Sequence, residues 1–176
     1  IRDRLVFAAG ALVMLGVSAI THLRDWPIER VEMLARLDHS AIFVMFATSA
    51  TPFALTVMDG NRSVTLLVFA WTGATVGVVL EYLPFHPPRG LVNTIFLTFG
   101  AGFLLFLPWL IDGLSGPQLG LLLGGALPYV IGALIVGSQW PDPWTDVFGY
   151  HEIWHVMVVL SVGMHYWLAM DLTGVV

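Results

Sequence analysis

The chain contains no cysteine and no lysine. The first absence removes disulfides, thiolate metal ligands and cysteine nucleophiles together, and it leaves the redox compartment unreported. The second leaves all fixed positive charge to seven arginines, which lie outside or at the ends of the long apolar runs. Charge of either sign is scarce. Charged residues make up 11% of the chain and hydrophobic residues 57%, with a mean hydropathy of +0.84. A soluble domain has roughly a quarter of its residues charged, so this chain lacks the polar groups to cover itself in water. Lipid is its expected solvent. The net charge of −5 argues against nucleic acid as a partner, because that would need a basic stripe.

What is present is long apolar sequence. Crossing the hydrocarbon layer as a helix takes roughly 20 apolar residues, and runs of about that length cover residues 5–23, 37–58, 64–83, 91–111, 118–137 and 149–170. The polar stretch Arg24 to Arg30 and a short amphipathic segment ending at Arg36 separate the first two. Later runs are closed by Asp59-Gly60-Asn61-Arg62, by Pro84 to Gly90 with His86 inside it, and by Asp112 to Pro117. Such short connections make successive helices antiparallel. In lipid only helices or closed barrels satisfy their own backbone, and unalternating runs exclude a barrel. The expected fold is an all-α integral membrane protein, a single transmembrane domain over residues 1–176 forming a compact bundle of six transmembrane helices. Gly73 and Gly77 form a small-xxx-small pair suited to close helix contact. Trp26, Trp109, Trp140 and Trp144 stand at run ends, where interfacial aromatics belong.

The chain opens Ile1-Arg2-Asp3-Arg4 without methionine, which suggests a fragment, a processed form or a longer start. Its first apolar stretch is too long for a signal-peptide core and reads as a true span. Arg24, Arg30, Arg36 and Arg89 fall on one side of the bundle, and Arg2, Arg4 and Arg62 on the other. By the positive-inside rule this count leans toward a cytoplasmic first loop.

Ionisable residues within spans are costly and by default mark function. Here Ser18 and His22 end the first run, Asp38 and His39 begin the second, and His151, Glu152 and His155 begin the sixth. Alternating helix direction assigns those three positions to one membrane face. Ser18 and His22 are four apart, as are His151 and His155, so each pair projects from one helical face. Two imidazoles one turn apart, with a third from a facing helix, supply three nitrogens and leave the fourth tetrahedral position open, as in a catalytic zinc site. By ligand type, copper, iron and nickel also fit. A lone histidine in a span is more often a helix–helix hydrogen bond than a ligand; three of them with an aspartate and a serine in one layer reverse that expectation.

Three segments carry a resemblance to a known family. Ser18-Ala19-Ile20-Thr21-His22, Arg36-Leu37-Asp38-His39-Ser40-Ala41-Ile42 running on to Thr51-Pro52-Phe53, and Gly149-Tyr150-His151-Glu152-Ile153-Trp154-His155 resemble, in order and spacing, signatures of the haemolysin III / progestin and adipoQ receptor family. That family is related to alkaline ceramidase-type membrane hydrolases. The resemblance implies seven helices with a cytoplasmic amino terminus, of which this chain supplies the second to seventh. It implies Zn2+ near the cytoplasmic surface of the cell (plasma) membrane, held by His22, His151 and His155. It also implies that Asp38 holds the metal-bound water, with Ser18 just outside the ligands. The activity implied is hydrolysis of a ceramide-like lipid amide or an ester, with membrane lipids as partners and substrate.

Neighbouring helix residues point about 100° apart, so His39 is read as a packing or hydrogen-bonding residue rather than a ligand beside Asp38. His86 and His165 are placed away from the metal, and Glu81 is read as a carboxylate snorkelling from a helix end. Three other functions compete. His151-Glu152-Ile153-Trp154-His155 also fits the H-E-x-x-H metalloprotease pattern, with the glutamate as general base. A non-catalytic signalling or stress protein would use zinc only to tie helices together. A pore-former would need a continuous polar helix face, and no run supplies one.

Overall fold

Apolar runs bounded by proline, glycine and charge become helices because each helix closes its own backbone hydrogen bonds. The computed structural model describes residues 2–83, 89–145 and 147–174, and side chains within 4–83, 94–145 and 147–174. His86 and the rest of 84–88 lie outside the described residues. The helices are α1 (Arg2–His22), α2 (Ile28–Val57), α3 (Gly60–Glu81), α4 (Arg89–Gly102), α5 (Leu107–Gly113), α6 (Gly116–Ser138) and α7 (Tyr150–Leu172), with a 3₁₀ turn at Phe103–Phe106 joining α4 to α5. No strand occurs among the described residues. Among the described residues, six segments are long and apolar enough to cross a membrane: Arg4–His22, Ile28–Val57, Gly60–Glu81, Thr94–Gly113, Gly116–Ser138 and Tyr150–Leu172. The protein is an all-helical, multi-pass membrane protein.

Two boundaries differ from the expected ones. The stretch 28–36 is not a separate amphipathic segment but the first turns of α2. Pro27 stands just before the helix and no glycine or proline interrupts 28–36, so nothing breaks the backbone where hydropathy changes. Arg36 also pairs with Glu32 one turn earlier at 2.6 Å. At 30 residues, α2 is about 45 Å long, and its polar first turns extend past an apolar layer about 30 Å thick. The residues Gly60 to Arg62 are likewise not a loop but the opening of α3, with Asp59 at its N-cap. The fourth span is also less regular than a single run. Pro108 lacks the N–H that would bond back to Leu104, and it clashes with a straight helix there; the 3₁₀ turn falls just before it.

The chain forms two compact units, residues 1–86 and 87–176. In the first, α2 packs against both α1 and α3, around buried Phe7, Met14, Phe43, Met45, Phe53 and Leu66. In lipid such contacts are stabilised by close van der Waals packing rather than by escape from water. Gly77 shows this at one point: a methyl there would overlap the Phe43 ring, which is 2% exposed and has no room to retreat. Gly77→Ala is therefore expected to destabilise the protein by about 1–3 kcal/mol, read as a lowered thermal midpoint in detergent. Adding Phe43→Leu should recover part of that loss.

In the second unit α6 packs along α7. A methyl at Gly132 would come within 2.7 Å of the Trp154 ring and 3.1 Å of Met157 Cβ, so glycine permits the approach of α6 to the part of α7 that carries His155. α6 ends at Gln139, whose left-handed backbone (φ 54°) lets the Trp140 N–H donate to Ile135 O at 3.3 Å. Trp144 and Phe148 then exchange backbone bonds of 3.2 and 2.9 Å, closing a turn directly before α7.

Candidate metal centre

The first unit carries His22. α1 ends at His22, and its last carbonyls need partners outside the helix. The indole Nε1 of Trp26 donates to Ile20 O at 2.9 Å, and the Arg24 guanidinium lies 3.8 Å over the same ring. This corner turns the chain into α2 and leaves His22 beside α2's fourth turn. There His22 Nε2 lies 3.4 Å from Asp38 Oδ2. The histidine side chain is 39% exposed and the aspartate 15%. Ser18, half-buried, is one turn earlier on α1.

Asp38 and His39 diverge, as adjacent helix residues must. His39 Nδ1 meets Glu81 Oε2 of α3 at 3.3 Å. The structure thus gives His39 the hydrogen-bonding role expected of it and corrects the reading of Glu81: that carboxylate is only 9% exposed and is engaged rather than snorkelling. Arg36 is a further participant that the sequence did not single out. Its Nη1 donates to Glu81 O at 2.7 Å and to Leu83 O at 3.4 Å, and its Nη2 to Glu32 Oε1 at 2.6 Å. The available signal was parity: the start of the second span and the end of the third belong to one membrane face.

The second unit carries the paired imidazoles. His151 and His155, one turn apart at the start of α7, are both half-buried. Their rings stand at 83° with centroids 4.7 Å apart, and the two Nε2 atoms approach to 3.1 Å. Two nitrogens bound at about 2.05 Å to a tetrahedral ion lie roughly 3.3 Å apart. The donor pair therefore fits one divalent cation with little adjustment, and neutral imidazole suits zinc. His165 is elsewhere on α7, with Nε2 donating to Leu122 O at 3.0 Å; it is a helix–helix hydrogen bond.

Glu152 lies between the two histidines in sequence, and its carboxylate is engaged by the backbone that opens the helix. Its Oε2 accepts the Gly149 N–H at 2.8 Å, so it closes the first turn of α7, where a negative charge also suits the helix dipole. Glu152→Ala is expected to cost about 1 kcal/mol of stability, measured as a modest fall in thermal midpoint, and to leave metal content unchanged.

Comparisons with known proteins identify a family. A protein-family model described as haemolysin-III related matches residues 4–166. The Hemolysin-3 homolog of Bacillus subtilis (strain 168) is 32% identical over 130 residues, which cover 73% of this chain and 57% of that protein. Hemolysin-3 of Bacillus cereus is 28% identical over 155 residues, covering 88% of this chain and 67% of that protein. A plant protein, the heptahelical transmembrane protein ADIPOR2 of Oryza sativa subsp. japonica, is 31% identical over 179 aligned positions, covering 93% of this chain and 78% of that protein. The chain thus spans 57% to 67% of the length of the two bacterial relatives.

Proposed function

Because this chain belongs to the haemolysin-III related family of multi-pass membrane proteins, we propose that it is a zinc-dependent hydrolase of lipid amide or ester bonds. His22, His151 and His155 are the ligands in this reading, Asp38 is the general base, and Ser18 supports the ligand on its own helix. The observation that carries the proposal is the convergence of His151 and His155 Nε2 to 3.1 Å on one face of α7. The carboxylate of Asp38, 3.4 Å from His22 Nε2, adds negative charge beside the nitrogen that would face the cation. The alternation of helix direction along six spans is the argument for assigning all of these residues to one membrane face.

When bound, zinc supplies a Lewis acid and lowers the pKa of water toward about 7. Asp38 accepts a proton from the water that attacks the acyl carbon, and returns it to the departing nitrogen or oxygen. The C–N or C–O bond breaks, leaving a fatty acid and an amine or alcohol. A ceramide-like amide is the substrate class, entering from the membrane between helices. The arginine distribution supports a site toward the cytoplasmic side of the membrane. The engagement of Glu152 with the Gly149 N–H weighs against a metalloprotease, whose general base would face the metal.

Metal analysis of the purified full chain tests the ligand set. About one equivalent of zinc is expected in the wild type and none in His22→Ala. A wild type without metal sinks the reading. A metalated wild type that releases no fatty acid from short-chain ceramide or ester probes points instead to a metal that only ties helices together.

A further inference from the structure

We propose that α3 fixes the rotation of α2 through Arg36, His39 and Glu81, and that this clamp is what aims Asp38 at His22. The consequence for turnover rests on the hydrolase reading above; the geometry of the clamp does not.

Two residues of α2 grip α3, and they are three apart, so they lie on one helical face. Arg36 reaches the end of α3, where the last carbonyls have no partner within the helix. It donates to Glu81 O and Leu83 O from the same nitrogen, at 2.7 and 3.4 Å. Its second nitrogen is held at 2.6 Å by Glu32, so the guanidinium is fixed from both sides. His39 adds the side-chain contact to Glu81 at 3.3 Å. The Glu81 carboxylate is 9% exposed, and a shielded acceptor left without its donor costs about 1–3 kcal/mol. The gripped face is therefore strongly preferred.

Asp38 lies between the gripping residues in sequence and about 100° from His39 around the helix. With His39 held toward α3, Asp38 is turned to the α1 side, where its Oδ2 meets His22 at 3.4 Å. A helix side chain reaches about 5–6 Å from the axis, so a 20° rotation of α2 would carry the carboxylate on the order of 2 Å. That is enough to lose the contact. Misplacement of a reacting group by about 1 Å can cost on the order of 10²-fold in rate. Arg36, His39 and Glu81 are positioning residues in this scheme, acting on the reaction only through Asp38.

The clamp is read directly from the imidazole nitrogen resonances of His22 in metal-free, ¹⁵N-histidine-labelled full chain in micelles, assigned with His22→Gln. Asp38→Ala, which has no acceptor, sets the displacement that marks loss of the contact. His39→Leu and Glu81→Leu are expected to displace the His22 signals in the same direction. His39→Asn and Glu81→Gln keep a donor and an acceptor at the same places and should return them to the wild-type position. Arg36→Gln changes little volume and gives a second route if the leucine variants fail to fold; it too should displace the signals. His22 resonances that stay at their wild-type position in Arg36→Gln and in the folded leucine variants overturn the proposal. In turnover of short-chain ceramide, Glu81→Leu should lower kcat by about 10–100-fold with KM unchanged, and add nothing in an Asp38→Asn background. Displaced resonances in a protein whose wild type turns over no lipid uphold the clamp and count against the hydrolase instead.

Discussion

Asp38→Asn is expected to lower the turnover of a lipid amide by about 10²–10⁴-fold, the range of a lost general acid–base, while the purified variant keeps its metal. Asparagine preserves the volume of the side chain and one acceptor oxygen, so the approach to His22, 3.4 Å in the native protein, is available to it. What asparagine lacks is a carboxylate that can accept the proton of the attacking water. The loss corresponds to about 2.7–5.4 kcal/mol of transition-state stabilisation. It should appear in kcat rather than KM, because the missing proton transfer belongs to the chemical step. Parallel measurements of zinc content and turnover separate the possibilities. Metal retained with turnover lost supports the base. Both lost would make Asp38 part of what holds the ion, and both retained would move the base to another residue.

Much of the architecture was legible because lipid imposes a coarse rule: about 20 apolar residues per span. That rule found the six spans seen among the described residues without any knowledge of packing, and the three motif segments found the family. Helix ends were less legible, since hydropathy marks where lipid stops and not where the backbone changes. Residues 28–36 are polar enough to leave the membrane, yet contain no breaker, so α2 runs straight through them. Conversely Leu104 and Leu105 are as apolar as their neighbours, but Pro108 forces a 3₁₀ turn around them. Within the second unit the i, i+4 spacing put His151 and His155 on one helical face, where their Nε2 atoms lie 3.1 Å apart. Parity along α1 and α2 put His22 and Asp38 at one membrane face, and the structure brings them to 3.4 Å. Glu81 and Glu152 were the difficult residues, because a carboxylate near a helix end has several partners within reach and sequence does not rank them. Backbone geometry does. Glu152 is captured by the open N–H of Gly149 in its own first turn, and Glu81 by the donor that α2 presents across the helix pair.

Zinc is expected to stabilise the wild-type protein and to have no such effect on His155→Ala. An ion that binds only the folded state contributes RT ln(1 + [L]/Kd), about 2.7 kcal/mol at a hundredfold excess over Kd, and should raise the thermal midpoint in proportion. In the proposed site His151 and His155 would act as a chelate on one helix, and with Nε2 atoms already 3.1 Å apart little ordering would remain for the ion to impose. Removing His155 leaves a single imidazole on α7. Loss of groups that merely orient ligands costs about 10–100-fold in metal affinity, so loss of a ligand itself should exceed that. At a zinc concentration a hundredfold above the wild-type Kd the variant is then less than half occupied and gains under about 0.4 kcal/mol. The metal-free midpoints of the two proteins should lie close together, because the half-buried His155 ring fills no core position. The zinc-induced rise is therefore the informative quantity. Combining His151→Ala with His155→Ala should take away nothing further, since the chelate is already broken by either change. An equal zinc-induced rise in wild type and His155→Ala would place the ion elsewhere and detach this histidine pair from the proposed chemistry.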